Sequence, residues 1–176
     1  MAYVTPGTVA AGDVATAAAW NVLVGNDVSF RDGTGVVPPI AIVRRAAAQS
    51  ITTTSLTKVS FDTEDVDTNG MFTATSTDIT IQTSGVYLLA ATVQVANNAT
   101  GIRDGGFQKN GTIINTGAGV LAANMQAVNG GDSVLTMSGI ANLVATDIIT
   151  LYIYQTSGSS LNITSRASLA LLGRTS

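Results

Sequence analysis

The chain has 176 residues and a mass of 17.9 kDa, room for one ordinary domain plus an appendage, and its 8 Lys+Arg against 11 Asp+Glu leave only 11% of residues charged. It contains no Cys and no His. Disulfide scaffolds, thiolate nucleophiles and cysteine metal sites are thereby excluded, and the commonest general base and transition-metal ligand are missing, so no cofactor and no metal are expected. A net charge of −3 and a pI near 4.5 oppose nucleic-acid binding, which needs a basic footprint to displace counterions.

What replaces charge is 25 Thr, 24 Ala, 18 Gly and 14 Ser, a composition suited to hydroxyl-covered strands and tight turns; an all-β fold is the first expectation. Mean hydropathy is +0.35, yet the longest strongly apolar stretch, Val36 to Val43, is short and broken by Pro38-Pro39, so no membrane partner is expected. The start MAYVTPGTVAAGD has no basic segment and is interrupted by Pro6 and Gly7, so no signal peptide is expected either. An apolar chain with so few charges predicts an outer surface partly hidden against copies of itself or a larger assembly.

In chain order, residues 1–35 differ from the rest. Thr16 has the character of an N-cap, and Trp20, Leu23, Val24 and Val28 recur at the spacing of one helical face, predicting a short amphipathic helix. Asp32-Gly33-Thr34-Gly35 and Pro38-Pro39 end it and form a hinge, dividing the chain into an N-terminal arm over 1–35 and a domain over 36–176. Trp20, Leu23, Val24 and Val28 are the expected attachment face of that arm.

From Ile40 onward the pattern is one of strands: Ile40 to Arg45, Leu56 to Phe61, Met71 to Thr75, Ile79 to Gln82, Val86 to Val95, Gly106 to Lys109, Thr112 to Asn115, Val120 to Ala127, Ser133 to Ala141, Ile148 to Gln155 and Leu161 to Leu172. The clearest is Val86 to Val95, where Tyr87, Leu89, Ala91, Val93 and Val95 make an unbroken apolar face and Thr92 and Gln94 fall on the other. Asn69-Gly70, Asn110-Gly111 and Asn129-Gly130 are turn dipeptides. About ten short antiparallel strands without a long internal repeat predict a sandwich or barrel.

Little in this text carries chemistry. Asp62, Glu64, Asp65 and Asp67 form the densest acidic cluster, but without the order of a calcium loop they are expected to be a solvated acidic loop. A glycosidase pair drawn from Asp62, Glu64 or Asp78 would rely on the single Glu of the chain and has no aromatic-rich cleft beside it. Arg103-Asp104-Gly105-Gly106 suggests a surface or interface ion pair beside a flexible loop. Thr116-Gly117-Ala118-Gly119 lacks a phosphate-binding lysine and is expected to be a turn.

Ala41-Ile42-Val43-Arg44-Arg45, Gln49-Ser50-Ile51, Val59-Ser60-Phe61-Asp62-Thr63, Met71-Phe72, Ile79-Thr80-Ile81, Gly85-Val86-Tyr87-Leu88-Leu89, Arg103 followed by Lys109-Asn110-Gly111, Asp147 through Ile153, and Ala170-Leu171-Leu172-Gly173 together resemble, over about residues 40–176, the jelly-roll family of tumour necrosis factor and the complement globular heads, in the versions found in tailed-phage structural proteins. Val14 to Asn21 with Asn26-Asp27 and Arg31-Asp32 is similar to an N-terminal segment recurrent in minor tail and other virion proteins. The resemblance implies an antiparallel jelly-roll sandwich that forms a homotrimer, with Tyr87, Leu89, Val93, Leu151 and Ile153 in core or trimer packing. It also implies a non-enzymatic virion protein, attached to other virion proteins through its arm and meeting a host cell-surface glycan or protein. Capsid decoration and, from another class, a carbohydrate-acting enzyme are the alternatives.

Overall fold

The computed structural model describes residues 37–114 and 121–174; the helix expected around Trp20, Leu23, Val24 and Val28 lies outside them, as does the turn at 116–119. Alternation of large apolar with small polar residues produces eleven strands among the described residues, and no helix. They are β1 (Ile40–Ile51), β2 (Thr57–Lys58), β3 (Thr63–Asp67), β4 (Asp78–Thr80), β5 (Gly85–Val95), β6 (Ile102–Lys109), β7 (Thr112–Ile113), β8 (Ala122–Gln126), β9 (Ser133–Leu143), β10 (Ile148–Gln155) and β11 (Leu161–Gly173). All pairings are antiparallel.

One sheet runs β3-β1-β11-β5-β9; the other has β10 and β6 at its centre, with β2 and β4 on the far side of β10 and β7 and β8 on the far side of β6. The C-terminal strand therefore sits between the first strand and β5, the crossover arrangement of a jelly roll. Odd-numbered side chains of β5 and of β9 to β11 point between the sheets, where Val43, Phe61, Tyr87, Leu89, Val93, Phe107, Leu135, Leu151, Ile153 and Leu169 are buried. Phe61 and Phe72 close one end edge-to-face, with ring centroids 6.2 Å apart and planes at 80°.

Two expected strands shrink. Leu56 to Phe61 keeps only Thr57–Lys58, and Met71 to Thr75 keeps a single bridge, Phe72 to Ile79, because Val59, Phe61, Met71 and Phe72 drop into the core instead of continuing a ladder. One strand is gained. Thr63–Asp67 of the acidic segment expected to be a solvated loop form β3, an edge strand on β1; Asp62 and Asp67 hold backbone, whereas Glu64 is exposed. Asp62 accepts the N–H groups of Ala46 and Ala47 at 2.9 and 2.8 Å, where β1 bulges between Arg45 and Gln49. Asp67 accepts those of Asn69 and Phe72 at 3.0 and 2.8 Å and shapes the following turn.

The bonds from Ala46 and Ala47 hold the Asp62 carboxyl at about 2, below its ordinary 3.8, with Thr63 and Arg45 assisting against a partial burial that acts the other way. A carboxyl depressed in the folded state stabilises above its unfolded value, and that contribution disappears as pH falls through the folded one. Acid unfolding of the wild type should thus carry a component between pH 3.8 and about 2 that Asp62→Asn lacks, the variant being less stable at neutral pH; denaturant titrations across this window check both points. Leu89→Ala, in the buried centre of β5, should cost about 2 to 5 kcal/mol in the same assay, the usual range for a cavity of this kind.

Candidate functional site

Strand alternation decides which residues are left for function. Tyr87, Leu89 and Val93 on β5 and Leu151 and Ile153 on β10 are between 0% and 1% exposed and lie between the sheets, so they build the core and leave the outer surface to their neighbours in sequence. The Tyr87 hydroxyl donates to the Thr83 carbonyl at 2.8 Å, and burial raises its pKa.

The outward face of the five-stranded sheet is assembled by register. Ile40 of β1 stands opposite Ala170 of β11, Ala170 opposite Leu88 of β5, and Leu88 opposite Ile140 of β9, so that four strands contribute one continuous apolar row. Ile42 and Val66 extend it on β1 and β3. Leu88 is 40% and Ile140 54% exposed, a level at which isolated residues need no account, whereas a row crossing a whole sheet does. Beyond the row come Ala90, Ser138 and Ser168, and then Arg44 opposite Arg166, which is opposite Thr92. Two arginines facing each other would repel; Asp65 lies between them, 2.9 Å from Arg44 and 3.9 Å from Arg166. This face thus has an aliphatic end, a small-residue and hydroxyl centre, and a cluster of two arginines sharing one aspartate.

At its β9 edge the row reaches a groove of about 540 Å³, lined by Ile140 from β9 and by Ile113 and Ile114 from the β6–β7 hairpin region. Asn110-Gly111 turns that hairpin with φ values of 51° and 80°, which asparagine tolerates and glycine adopts freely. The Asn110 amide donates to Asp147 and accepts the Ile148 N–H, both at 2.8 Å, locking the hairpin to the start of β10. Burial alone would raise the Asp147 carboxyl; the Val144 N–H, Asn110 and Lys109 outweigh it and leave a net lowering.

The expected Arg103–Asp104 surface pair does not form. Both residues lie on β6, where neighbours point to opposite faces, and Arg103 is 0% exposed, its guanidinium donating to the carbonyls of Asn98, Thr100 and Ile102 at 2.8 to 3.1 Å. It clamps the chain entering β6, and burial lowers its pKa. Asp104 faces the other way, where partial burial raises its carboxyl. On that same side Tyr152 crosses Gly106: a Cβ added there would meet the Tyr152 hydroxyl, the Ala122 Cβ and the Leu121 carbonyl, each at 2.8 Å. Of the three carboxylates considered for glycoside chemistry two are otherwise engaged, Asp62 on backbone and Asp78 beside Lys58 at 3.5 Å, while Glu64 is exposed on β3. Among the described residues no group of three or more acidic side chains is gathered as a metal would require, and no helix is long and apolar enough to cross a membrane.

No protein-family model matches the sequence, and no curated protein is similar to it at significant level. Solved structures are similar in fold. The globular domain of zebrafish complement 1qA protein matches with a TM-score of 0.60 at 14% identity, over 78% of this chain and 99% of its own. PRD1 vertex protein P5 matches at 0.54 with 16% identity, over 79% and 100%, and murine APRIL at pH 5.0 matches at 0.51 with 14% identity, over 73% and 98%. At such identities the likeness concerns architecture alone. The described residues therefore form an antiparallel jelly-roll-like domain of the type seen in tumour necrosis factor ligands and complement globular heads, with an apolar row across the outward face of its five-stranded sheet.

Proposed function

We propose that this chain is a non-enzymatic structural protein of a tailed-phage virion: a homotrimeric jelly-roll knob, assembled through the outward face of the five-stranded sheet, attached by residues 1–35 to tail tip, fibre or capsid, and meeting the host surface. The observation that carries the self-association step is the row Ile40, Ala170, Leu88 and Ile140 in a chain only 11% charged. Removing such a row from water stabilises an assembly by roughly 25 cal/mol per Å² of apolar area covered. The sheet face and the groove at its edge are different surfaces, which favours head-to-tail contacts that close into a ring over a two-fold dimer. The tumour necrosis factor-like resemblance makes that ring a trimer, and three knobs on one attachment point would multiply weak contacts with a surface glycan or protein.

A virion setting is supported by the resemblance of residues 14–32 to virion proteins and by the likeness of the fold to a vertex protein. That second likeness favours the capsid, so a decoration protein with a stabilising role only is the second reading. The absence of His and Cys and the engagement of Asp62 and Asp78 support a non-catalytic role.

Sedimentation should give a trimer at micromolar concentration, and Leu88→Lys combined with Ile140→Lys should weaken association at least about a hundredfold while leaving the circular dichroism spectrum unchanged, since both side chains leave the core untouched. A stable wild-type monomer would overturn the assembly reading. For attachment, a chain lacking residues 1–35 should fold and assemble yet fail to enter particles, and Trp20→Ala should reproduce part of that loss; antibody labelling of intact virions then separates tail from capsid.

A further inference from the structure

Three Asn-Gly pairs share one intrinsic chemistry, and the structure treats them differently. Asparagine followed by glycine is prone to intramolecular cyclisation, because glycine has no side chain to hinder its own backbone nitrogen. The reaction requires the asparagine side chain to swing until its carbonyl carbon meets that nitrogen. Asn110 is held against this motion at both ends of its amide, by Asp147 and by the Ile148 N–H, each at 2.8 Å. Asn69 is held at one end, its amide donating to Thr83 at 3.2 Å. Asn129, in the turn between β8 and β9, is exposed, and among the described residues no hydrogen bond restrains its side chain or the Gly130 nitrogen. Gly130 adopts a φ of 85° with open space where a Cβ would stand.

We propose that Asn129 is a site of spontaneous modification in the folded protein, converting to aspartate and isoaspartate while Asn110 and Asn69 are protected by their hydrogen bonds. The Gly130 nitrogen loses its proton to solvent base and bonds to the side-chain carbonyl carbon of Asn129. The bond from that carbon to the amide nitrogen breaks, and the nitrogen leaves with a proton as ammonia. The resulting succinimide takes up one water at either carbonyl, opening to aspartate or to isoaspartate, and nothing is oxidised or reduced. Each event makes the net charge of −3 one unit more negative. The new carboxylate arises three residues before Asp132, which accepts bonds from the Gln94 side chain and the Asn97 N–H and so ties this turn to the end of β5.

The test incubates the full chain at mildly alkaline pH and physiological temperature, folded and in urea, and follows each Asn-Gly pair by peptide mapping and isoaspartate-specific methylation. A mass gain of about 1 Da marks conversion. In the folded protein Asn129 should convert at least about tenfold faster than Asn110, a factor that a single net hydrogen bond can supply, with Asn69 between them. In urea the three rates should converge. Asn129→Gln should abolish the acidic species that isoelectric focusing detects in aged wild type. Folded-state conversion of Asn110 at the pace of Asn129, or an Asn129 that stays intact when folded yet reacts in urea, would overturn the proposal.

Discussion

The architecture depends on the insertion of β11 between β1 and β5. Ile40 pairs with Ala170 and Ala170 with Leu88, contacts that join the beginning, end and middle of the described chain in one ladder. Closing such separations costs conformational entropy before any contact rewards it, so the central strand must be strongly specified. Its specification is the alternation of Leu161, Ile163, Ser165, Ala167 and Leu169 inward with Asn162, Thr164, Arg166, Ser168 and Ala170 outward, matched by β5 on one side and β1 on the other. A slip of β11 by one residue would carry its whole inward set to the outer face and break its match to both neighbours. The same register that protects the core lines up Ile40, Ala170, Leu88 and Ile140 on the outside, so the candidate interface follows from the ladder without further elements.

Sparse charge is put to consistent use. Asp62 holds a bulge, Asp67 a turn, Asp132 the end of β5 and Asp147 the junction of a hairpin with β10. In each case a carboxylate accepts a backbone N–H that strand pairing leaves unsatisfied, a bond stronger than one between neutral groups. Arg103 performs the complementary task, taking three carbonyls of the loop before β6 into its guanidinium. Charged groups thus serve the irregular backbone of the domain. The outward face of the five-stranded sheet is left to aliphatic, hydroxyl and amide side chains, apart from the Arg44, Asp65 and Arg166 cluster, and that is the composition of a surface suited to being covered.

Composition and patterning were enough to read an all-β fold and the positions of β5, β9, β10 and β11: β5, β9 and β11 are long and half-buried, so that a period of two is visible residue by residue, whereas β10 is buried on both faces and shows as a continuous apolar run. Tyr87 and Leu89 are legible as buried for the same reason. Which side of the sheet would form a surface of interest was not legible: Leu88 and Ile140 are far apart in the chain, neither is unusual locally, and only pairing through β5 and β9 places them together. Short strands at the sandwich ends failed as predictions because core burial there is carried by single residues, Phe61 and Phe72, which have no period to detect.

The acidic segment shows the same boundary from the other side. Asp62, Glu64, Asp65 and Asp67 read as a solvated loop because local charge is all that the sequence displays, whereas tertiary structure pairs the segment with β1, directs Asp62 to a bulge, Asp65 to an arginine pair and Asp67 to a turn, and leaves Glu64 exposed. Arg103 and Asp104 read as an ion pair by adjacency, and strand geometry sends them to opposite faces. The sequence by itself determined the class of fold, the buried face of β5 and the absence of histidine and cysteine chemistry, since these depend on composition and on nearest-neighbour periodicity. Only the tertiary structure decided which carboxylates are occupied, which of three Asn-Gly pairs is unrestrained and which apolar residues meet on the surface. Those outcomes are set by partners distant in the chain, brought together when two sheets close over one core.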